Sequence, residues 1–282
     1  MLLLATILWG SAFAVMRVAA GHNVIFLMNG WRFLLGGLLI FLLPAARVKG
    51  AFTRQNLPYV ALAGLALFVA TAFQQAGLAS TTAGNASFIT SLYVVIVPII
   101  MWIFWRERPS PLLGLAVFLA IAGGFLLSTA GAFSIKTGDL LILCSSFFWG
   151  MHVIVVGRAN GKITAIPFAF SQFIFSGILN LAAGAILERP TPVEMSSVLP
   201  AVLYTAVFSI AGGFTLQVLG QAHTPTSDAA LILCLESVFG AFFGWLLLSE
   251  SFLPAQIIGC GLILVAVGMV QVKVYRSAPE VP

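Results

Sequence analysis

Charge is what this chain has least of. Asp, Glu, Lys and Arg make up 7% of its 282 residues, against about 25% in an ordinary soluble domain. Hydrophobic residues make up 61%, and the mean hydropathy is +1.10. A soluble fold of this length has too small an interior to hide that much apolar surface, so lipid is the solvent for most of the chain. Aspartate occurs twice, as Asp139 and Asp228, both at the ends of apolar runs. The paired aspartates of an intramembrane protease and the Asp-rich metal motif of a lipid-linked transferase are therefore missing, and neither H-E-x-x-H nor G-x-x-x-x-G-K-S/T occurs. The expectation is a protein that is not an enzyme, takes no cofactor and no metal, and draws energy from a solute gradient or a coupled ion. A channel and an intramembrane enzyme are the remote alternatives; no selectivity filter or charged ring is legible. Cys144, Cys234 and Cys260 lie in apolar runs without metal-ligand or redox spacing, which makes them packing residues. Net charge is +5, but no basic tract exists, so no nucleic acid is expected as a partner. No basic region precedes the first apolar run, so no cleaved signal peptide is expected.

What the chain has in quantity is runs of the right length. A spanning helix needs about 20 apolar residues. Ten such spans are expected, at 2–19, 24–43, 57–78, 85–105, 111–130, 138–156, 164–187, 198–219, 228–248 and 254–272. The breaks between them carry Gly, Pro, Asn or charge. With both termini inside, the inner loops and tail hold Arg47, Lys49, Arg54, Arg106, Arg108, Arg158, Lys162, Lys273 and Arg276, and the outer loops hold Lys136 and Arg189. Cytoplasmic termini follow from this excess of inner positive charge, which also accounts for the basic balance without an anionic partner.

Shifted by 143 positions, residues 74–111 meet residues 217–254 without a gap. Identities include Gln74/Gln217, Gly77/Gly220, Thr81/Thr224, Trp102/Trp245, Glu107/Glu250 and Pro111/Pro254. A weaker echo joins ILWGSAF at 7–13 to FFWGMHV at 147–153. Five spans per half is an odd number, so the second half enters the membrane upside down. Inverted repeats with a site at the midplane between the halves are the architecture of many secondary transporters.

The segments LWGSAFAVMR (8–17), WRFLLGGLLIFLL (31–43), AGNASFITSLYVVIVPIIMWIFWRERPSPLLGLAVFLAIAGGFLL (83–127) and SDAALILCLESVFGAFFGWLLLSESFLPAQIIGCGLILVAVGMV (227–270) together resemble a bacterial member of the drug/metabolite transporter superfamily. The resemblance covers essentially the whole chain. It implies an all-α integral membrane protein of ten transmembrane helices, built as two inverted five-helix EamA-type repeats around a central cavity: residues 1–131, residues 132–273 and a cytoplasmic tail at 274–282. It further implies a multi-pass protein of the bacterial inner membrane that exports small metabolites by alternating access. The look is closest to the branch exporting aromatic and other neutral amino acids; a drug or other metabolite exporter, or an uncoupled facilitator, is the alternative. The partners are a small-molecule substrate and the lipid bilayer. The oligomeric state stays open, and a monomer suffices. One departure is visible: many relatives have Glu-Pro where this chain has Glu236-Ser237, which puts the proline kink in doubt.

Glu236 is the residue the pattern singles out. On a straight helix its face holds Ala229, Ile232, Leu233, Phe239, Gly240 and Phe243, and a carboxylate there faces a cavity or a partner rather than lipid. Its repeat mate is Tyr93. The alternatives are a cavity site, possible proton coupling included, or a structural ion pair or hydrogen-bonded acid. Thr90, Trp9, Trp149, His152 and Phe239 complete the candidate cavity lining, with a satisfied packing histidine as the alternative for His152, and Trp102 and Tyr204 are further aromatics considered for it. Trp102 and Trp245 are expected to face neighbouring helices or lipid. Arg32, deep in the second span, is expected to serve as a structural charge, with contact to a substrate carboxylate as the alternative. Asn85 and Asp228 are expected to cap the helices that open near them. Glu107 and Glu250 are expected at helix ends, serving the connections that follow.

Overall fold

The computed structural model describes residues 1–22, 24–47, 53–129, 136–251 and 253–277. Lys49, the repeat boundary at 131/132 and residues 278–282 of the tail lie outside the described residues. The described regular structure is all helical. Its α-helices are α1 (Leu2–Ala19), α2 (Phe26–Phe41), α3 (Leu57–Leu78), α4 (Ala83–Ser91), α5 (Tyr93–Trp105), α6 (Pro111–Thr129), α7 (Thr137–Ala159), α8 (Ala165–Leu187), α9 (Pro192–Thr205), α10 (Thr215–Gln221), α11 (Thr226–Leu233), α12 (Glu236–Leu248) and α13 (Pro254–Ser277), with a π segment (Ala206–Phe214) joining α9 to α10. Seven helical stretches are long and apolar enough to cross a membrane, and Phe26–Phe41, Pro111–Leu127 and Pro254–Val270 are shorter apolar helices.

The helix ends are set by local chemistry. Thr191 and Glu194 form a reciprocal capping box, Thr191 Oγ1 accepting from Glu194 N at 3.2 Å and Glu194 Oε2 from Thr191 N at 2.7 Å. Pro111, Pro192 and Pro254 each open a helix, where the missing N–H costs nothing. α5 and α12 end alike: Arg106 (φ 58°) and Ser249 (φ 55°) take the left-handed conformation. They stand 143 positions apart. The next amides, of Glu107 and Glu250, turn back to Met101 O at 3.3 Å and Gly244 O at 3.2 Å, satisfying carbonyls that the helices leave open.

Two expected continuous spans are interrupted. Between α4 and α5, Leu92 N donates to Ile89 O at 3.2 Å and Val95 N to Leu92 O at 3.0 Å. Between α11 and α12, Leu235 N donates to Ile232 O at 3.2 Å and Ser237 N to Cys234 O at 3.1 Å. Both are i→i−3 bonds, a tightened turn inside a span. A serine bonds back to a carbonyl three residues earlier at each break: Ser91 Oγ to Phe88 O and Ser237 Oγ to Cys234 O, both at 2.7 Å. The bend beside Glu236 thus exists without the proline, and Tyr93 and Glu236 each open the second half of a broken span. Ser237→Pro is accordingly expected to cost less than the ~3 kcal/mol of a proline in a helix interior, because at the second position of α12 the amide bond lost is the single i→i−3 bond to Cys234 O. Thermal unfolding in detergent, compared with Phe243→Pro, checks this; equal losses would mean that the break is not a true interruption.

The helices pack in pairs. α6 lies on α13, α2 on α8, α3 on α7, and α1 on the π segment and α10. α1 also packs on α12, as α7 does on α5, and α12 on α4, as α11 does on α5. Exchanging the first five apolar segments for the second five carries this set of pairs onto itself. Glycines permit the close approach. A Cβ on Gly30 would meet Leu181 Cδ2 at 2.5 Å and one on Gly177 would meet Leu34 Cδ2 at 2.7 Å; Gly37 faces Ile174 and Gly184 faces Leu27 in the same way. Gly30 and Gly177 stand 147 positions apart, as do Gly37 and Gly184.

Polarity is reversed relative to a soluble protein. Phe104, Phe118, Trp102, Trp245 and Ile186 are exposed, whereas Arg32, Gln74, His152, Gln172, Gln217 and Glu236 are buried. That distribution suits a bundle whose outer solvent is lipid.

Candidate functional site

The buried polar groups converge on one cavity in the middle of the bundle. Its walls come from α1 (Trp9), α2 (Arg32), the α4–α5 break (Thr90, Tyr93), α7 (Trp149), the π segment (Ser209) and the start of α12 (Glu236). Its volume is about 30 Å³, roughly the share of one water in the liquid. The space is this small because aromatic rings fill it. Phe214 stacks on Trp149 with ring centroids 5.5 Å apart and meets Trp9 at 4.7 Å. The Trp9 indole donates to Ser209 O at 3.3 Å and lies over Gly213, where a Cβ would come within 2.4 Å of Nε1. The π segment therefore supplies both the acceptor and the gap that seat Trp9; such segments recur at functional sites.

Several polar atoms around the cavity have no partner among the described residues. They include Arg32 Nε, Tyr93 Oη, Trp149 Nε1, Gln217 Oε1 and Glu236 Oε1. Tyr93 and Glu236 are electrostatic neighbours at the two helix breaks, the Tyr93 hydroxyl standing close to the carboxylate but short of a full hydrogen bond. Arg32 is 2% exposed. Its Nη1 meets the sulfur of Met16 and its guanidinium lies 5.5 Å from the Phe33 ring centroid. Among the described residues no carboxylate lies within ion-pair distance of it. Neither a carboxylate nor a backbone carbonyl, the structural partners expected for it, meets it among the described residues.

Of the residues expected in the cavity, Trp9, Thr90, Tyr93, Trp149 and Glu236 line it. His152 does not: it is buried behind the wall, its Nε2 2.8 Å from Gln172 Oε1 and its ring edge-on to Trp149 and Phe214. Phe239 does not either, because its backbone packs against Gly10 where α1 crosses α12. Trp102 and Trp245 are on the outside, and Tyr204 donates to Ser11 Oγ at 2.8 Å, away from the cavity. Gln74 and Gln217, Phe13 and Val153, and Met16 also line the cavity. The first two were legible as an identity between the repeats.

Asn85 and Asp228 are each the third residue of their helix rather than its cap. Thr82 caps α4, accepting from Asn85 N at 3.1 Å, and Pro225 precedes α11 without a side-chain cap. Asn85 Nδ2 instead donates to Asp139 Oδ1 at 2.6 Å, and the same oxygen accepts from Thr81 Oγ1 at 2.6 Å. Glu250 Oε1 accepts from Ala83 N at 3.0 Å and Oε2 from Gly84 N at 3.4 Å, so the carboxylate after α12 holds the start of α4. Its mate Glu107 makes no matching contact with α11 among the described residues; it pairs with Arg158 at 2.6 Å on the surface. One end of the bundle is thus tied across α4, α7 and α12. At the other end, where α1 begins, a cavity of about 310 Å³ opens beside Leu2, Gly220, His223 and Ile232.

Comparison with known proteins agrees with this architecture. An "Uncharacterized transporter" of Archaeoglobus fulgidus is 35% identical over 97% of this chain and 85% of its own length. A "S-adenosylmethionine/S-adenosylhomocysteine transporter" of Chlamydia muridarum is 27% identical over 98% of this chain and 92% of its own. A solved crystal structure with 17% sequence identity superposes with a TM-score of 0.73 over 98% of this chain and 96% of that one, a likeness of fold alone. Residues 1–129 and 136–272 match the EamA-like transporter family, and with nearly the whole chain so covered, the protein belongs to that family.

Proposed function

We propose that the chain is a secondary carrier that exports small organic solutes, amino acids of the aromatic and neutral kind foremost, through the central cavity by alternating access. The observation that carries this reading is the cavity itself: buried, walled by both halves of the chain, and edged by polar atoms without a hydrogen-bond partner among the described residues. Buried polar atoms without partners are rare and costly, and a passing solute would satisfy them. The reading includes ten membrane crossings, seven by the long apolar stretches and three by the shorter helices. It also includes two inverted repeats, supported by the self-mapping packing pairs, and the cytoplasmic placement of both termini in a bacterial inner membrane that the Lys/Arg bias favours. The relatives named for S-adenosylmethionine and S-adenosylhomocysteine support a solute that ends in an α-amino acid group. Glu236 is the group through which a proton would be exchanged for that solute.

The test is exchange in proteoliposomes, with a panel of labelled amino acids, S-adenosyl compounds and neutral metabolites. Saturable exchange of at least one member is expected, with an imposed pH gradient driving accumulation in the wild type. In Glu236→Gln, which keeps the shape and removes the proton, the gradient is expected to drive none. Absence of any saturable flux would end the carrier reading. Flux without a response to the gradient in the wild type would make the protein an uncoupled facilitator.

A further inference from the structure

We propose that Arg32 and Glu236 form a split site for one zwitterion, Arg32 taking the carboxylate and Glu236 the ammonium of a single solute whose apolar body replaces the aromatic filling of the cavity. The inference rests on the carrier reading above and names the solute's charge pattern and the residues that read it.

The argument begins with two charges that lack partners. Arg32 is buried with Nε unsatisfied and Nη1 against a thioether, a weak acceptor. Glu236 is 4% exposed with Oε1 unsatisfied. An uncompensated charge in a membrane interior is expensive and marks a functional contact. Both side chains line the same cavity, yet they form no ion pair with each other in this structure. A solute of one sign would relieve one of the two and leave the other unpaired. A solute bearing both signs relieves both and brings no net charge into the lipid-surrounded interior. The guanidinium fork matches the two oxygens of a carboxylate. The Glu236 carboxylate and the Tyr93 hydroxyl beside it suit an ammonium, which has three donors and no acceptor. Trp9, Phe214 and Trp149 line the same cavity, rings that an apolar or aromatic body can replace in kind. Arg32 is also where the two halves differ. By the register that relates Gly30 to Gly177 and Gly37 to Gly184, its counterpart in α8 is Leu179, so the cavity carries one cationic end rather than two.

The experiment uses three probes of one shape on the full-length protein in proteoliposomes: phenylalanine, phenethylamine, which lacks the carboxylate, and 3-phenylpropionate, which lacks the ammonium. The wild type is expected to exchange phenylalanine at least tenfold better than either analogue. Arg32→Gln is expected to erase the preference over phenethylamine and keep the preference over 3-phenylpropionate. Glu236→Gln is expected to do the reverse, and Arg32→Lys to recover part of the selectivity. Ligand-induced shifts in thermal unfolding, read on the same variants, report binding where turnover is lost. The proposal is overturned if the wild type does not favour the zwitterion, or if both substitutions lower all three probes equally. It is also overturned if the double variant Arg32→Gln/Glu236→Gln recovers what each single one loses, since that is the signature of a pair serving each other. Flux of a panel member carrying a single sign of charge, with none of phenylalanine, would overturn the split site and leave the carrier reading standing. Absence of flux for every solute would strike the carrier reading itself.

Discussion

Replacing Glu188 with alanine is expected to lower the stability of the folded protein by on the order of 3 kcal/mol, seen as a fall of several degrees in the unfolding temperature in detergent. The carboxylate sits just past α8, and its two oxygens accept from Ile25 N at 2.7 Å, Phe26 N at 2.8 Å and Leu27 N at 2.9 Å. These are the first amides of α2, which have no partner within the helix. A negative group there is also favoured by the helix dipole. Charge-assisted bonds to amides are the strong kind, and water replaces them incompletely at a partly buried helix end. The loss extends to packing, because Gly184, one turn before Glu188, is where α8 closes on Leu27 of α2. Glu188→Gln keeps one acceptor oxygen and is expected to fall between the wild type and Glu188→Ala. Glu194→Ala is the control: that carboxylate caps α9 in solvent, and its removal is expected to have much less effect. Equal shifts for Glu188→Ala and Glu194→Ala would show that the three bonds are not a joint between the helices.

The contrast between those two glutamates shows where sequence reading works. Glu194 belongs to a capping box with Thr191, three residues away, and a pattern that local is legible. The partners of Glu188 lie 161 to 163 positions away in the chain, and nothing near Glu188 announces them. The apolar spans were legible because bilayer thickness fixes their length. The repeat was legible from α3 through α6 because Trp, Glu and Pro recur in order; the glycine register of α2 and α8 became visible only through the contacts. The breaks beside Tyr93 and Glu236 were not legible, since one tightened turn leaves no mark on composition. Phe239 follows the break together with Glu236 and keeps its register to it; it misses the cavity because α1 packs on it at Gly10. What three residues per turn instead of 3.6 do change is the relation of Ala229, Ile232 and Leu233, before the break, to Glu236 after it. His152 takes the packing alternative: it meets Gln172 of α8, a partner in another span that nothing near His152 announces.

The second large effect concerns the tied end of the bundle. Glu250→Ala is expected to raise, by tenfold or more, the rate at which an impermeant thiol reagent reaches a cysteine placed at Ser87, in a background with Cys144, Cys234 and Cys260 replaced by alanine. Ser87 is fully buried against Gly240, on the seam between α4 and α12. Glu250 closes that seam by accepting from Ala83 N and Gly84 N. Hydrogen bonds to a charged group contribute about 1.5–3 kcal/mol, and 1.4 kcal/mol is a factor of ten in a two-state population. Removing the carboxylate should therefore move at least that fraction of molecules toward the state in which this end is open. Glu107→Ala is expected to leave the labelling unchanged, although Glu107 is the repeat mate of Glu250, because its carboxylate is engaged at the surface with Arg158. The difference between the mates is what the proposed alternating access would require, one member of the pair latching its end of the bundle while the other is engaged elsewhere. On the carrier reading the roles are expected to exchange in the opposite state, Glu107 meeting the first amides of α11 and Glu250 letting go of α4. A cysteine at Asn160, an exposed position at the other end, gives the orientation and should label only after the membrane is permeabilised. If Ser87→Cys labels at the wild-type rate in Glu250→Ala, Glu250 is a helix cap and nothing more, and the gate must be sought in the Asp139–Asn85–Thr81 contacts beside it.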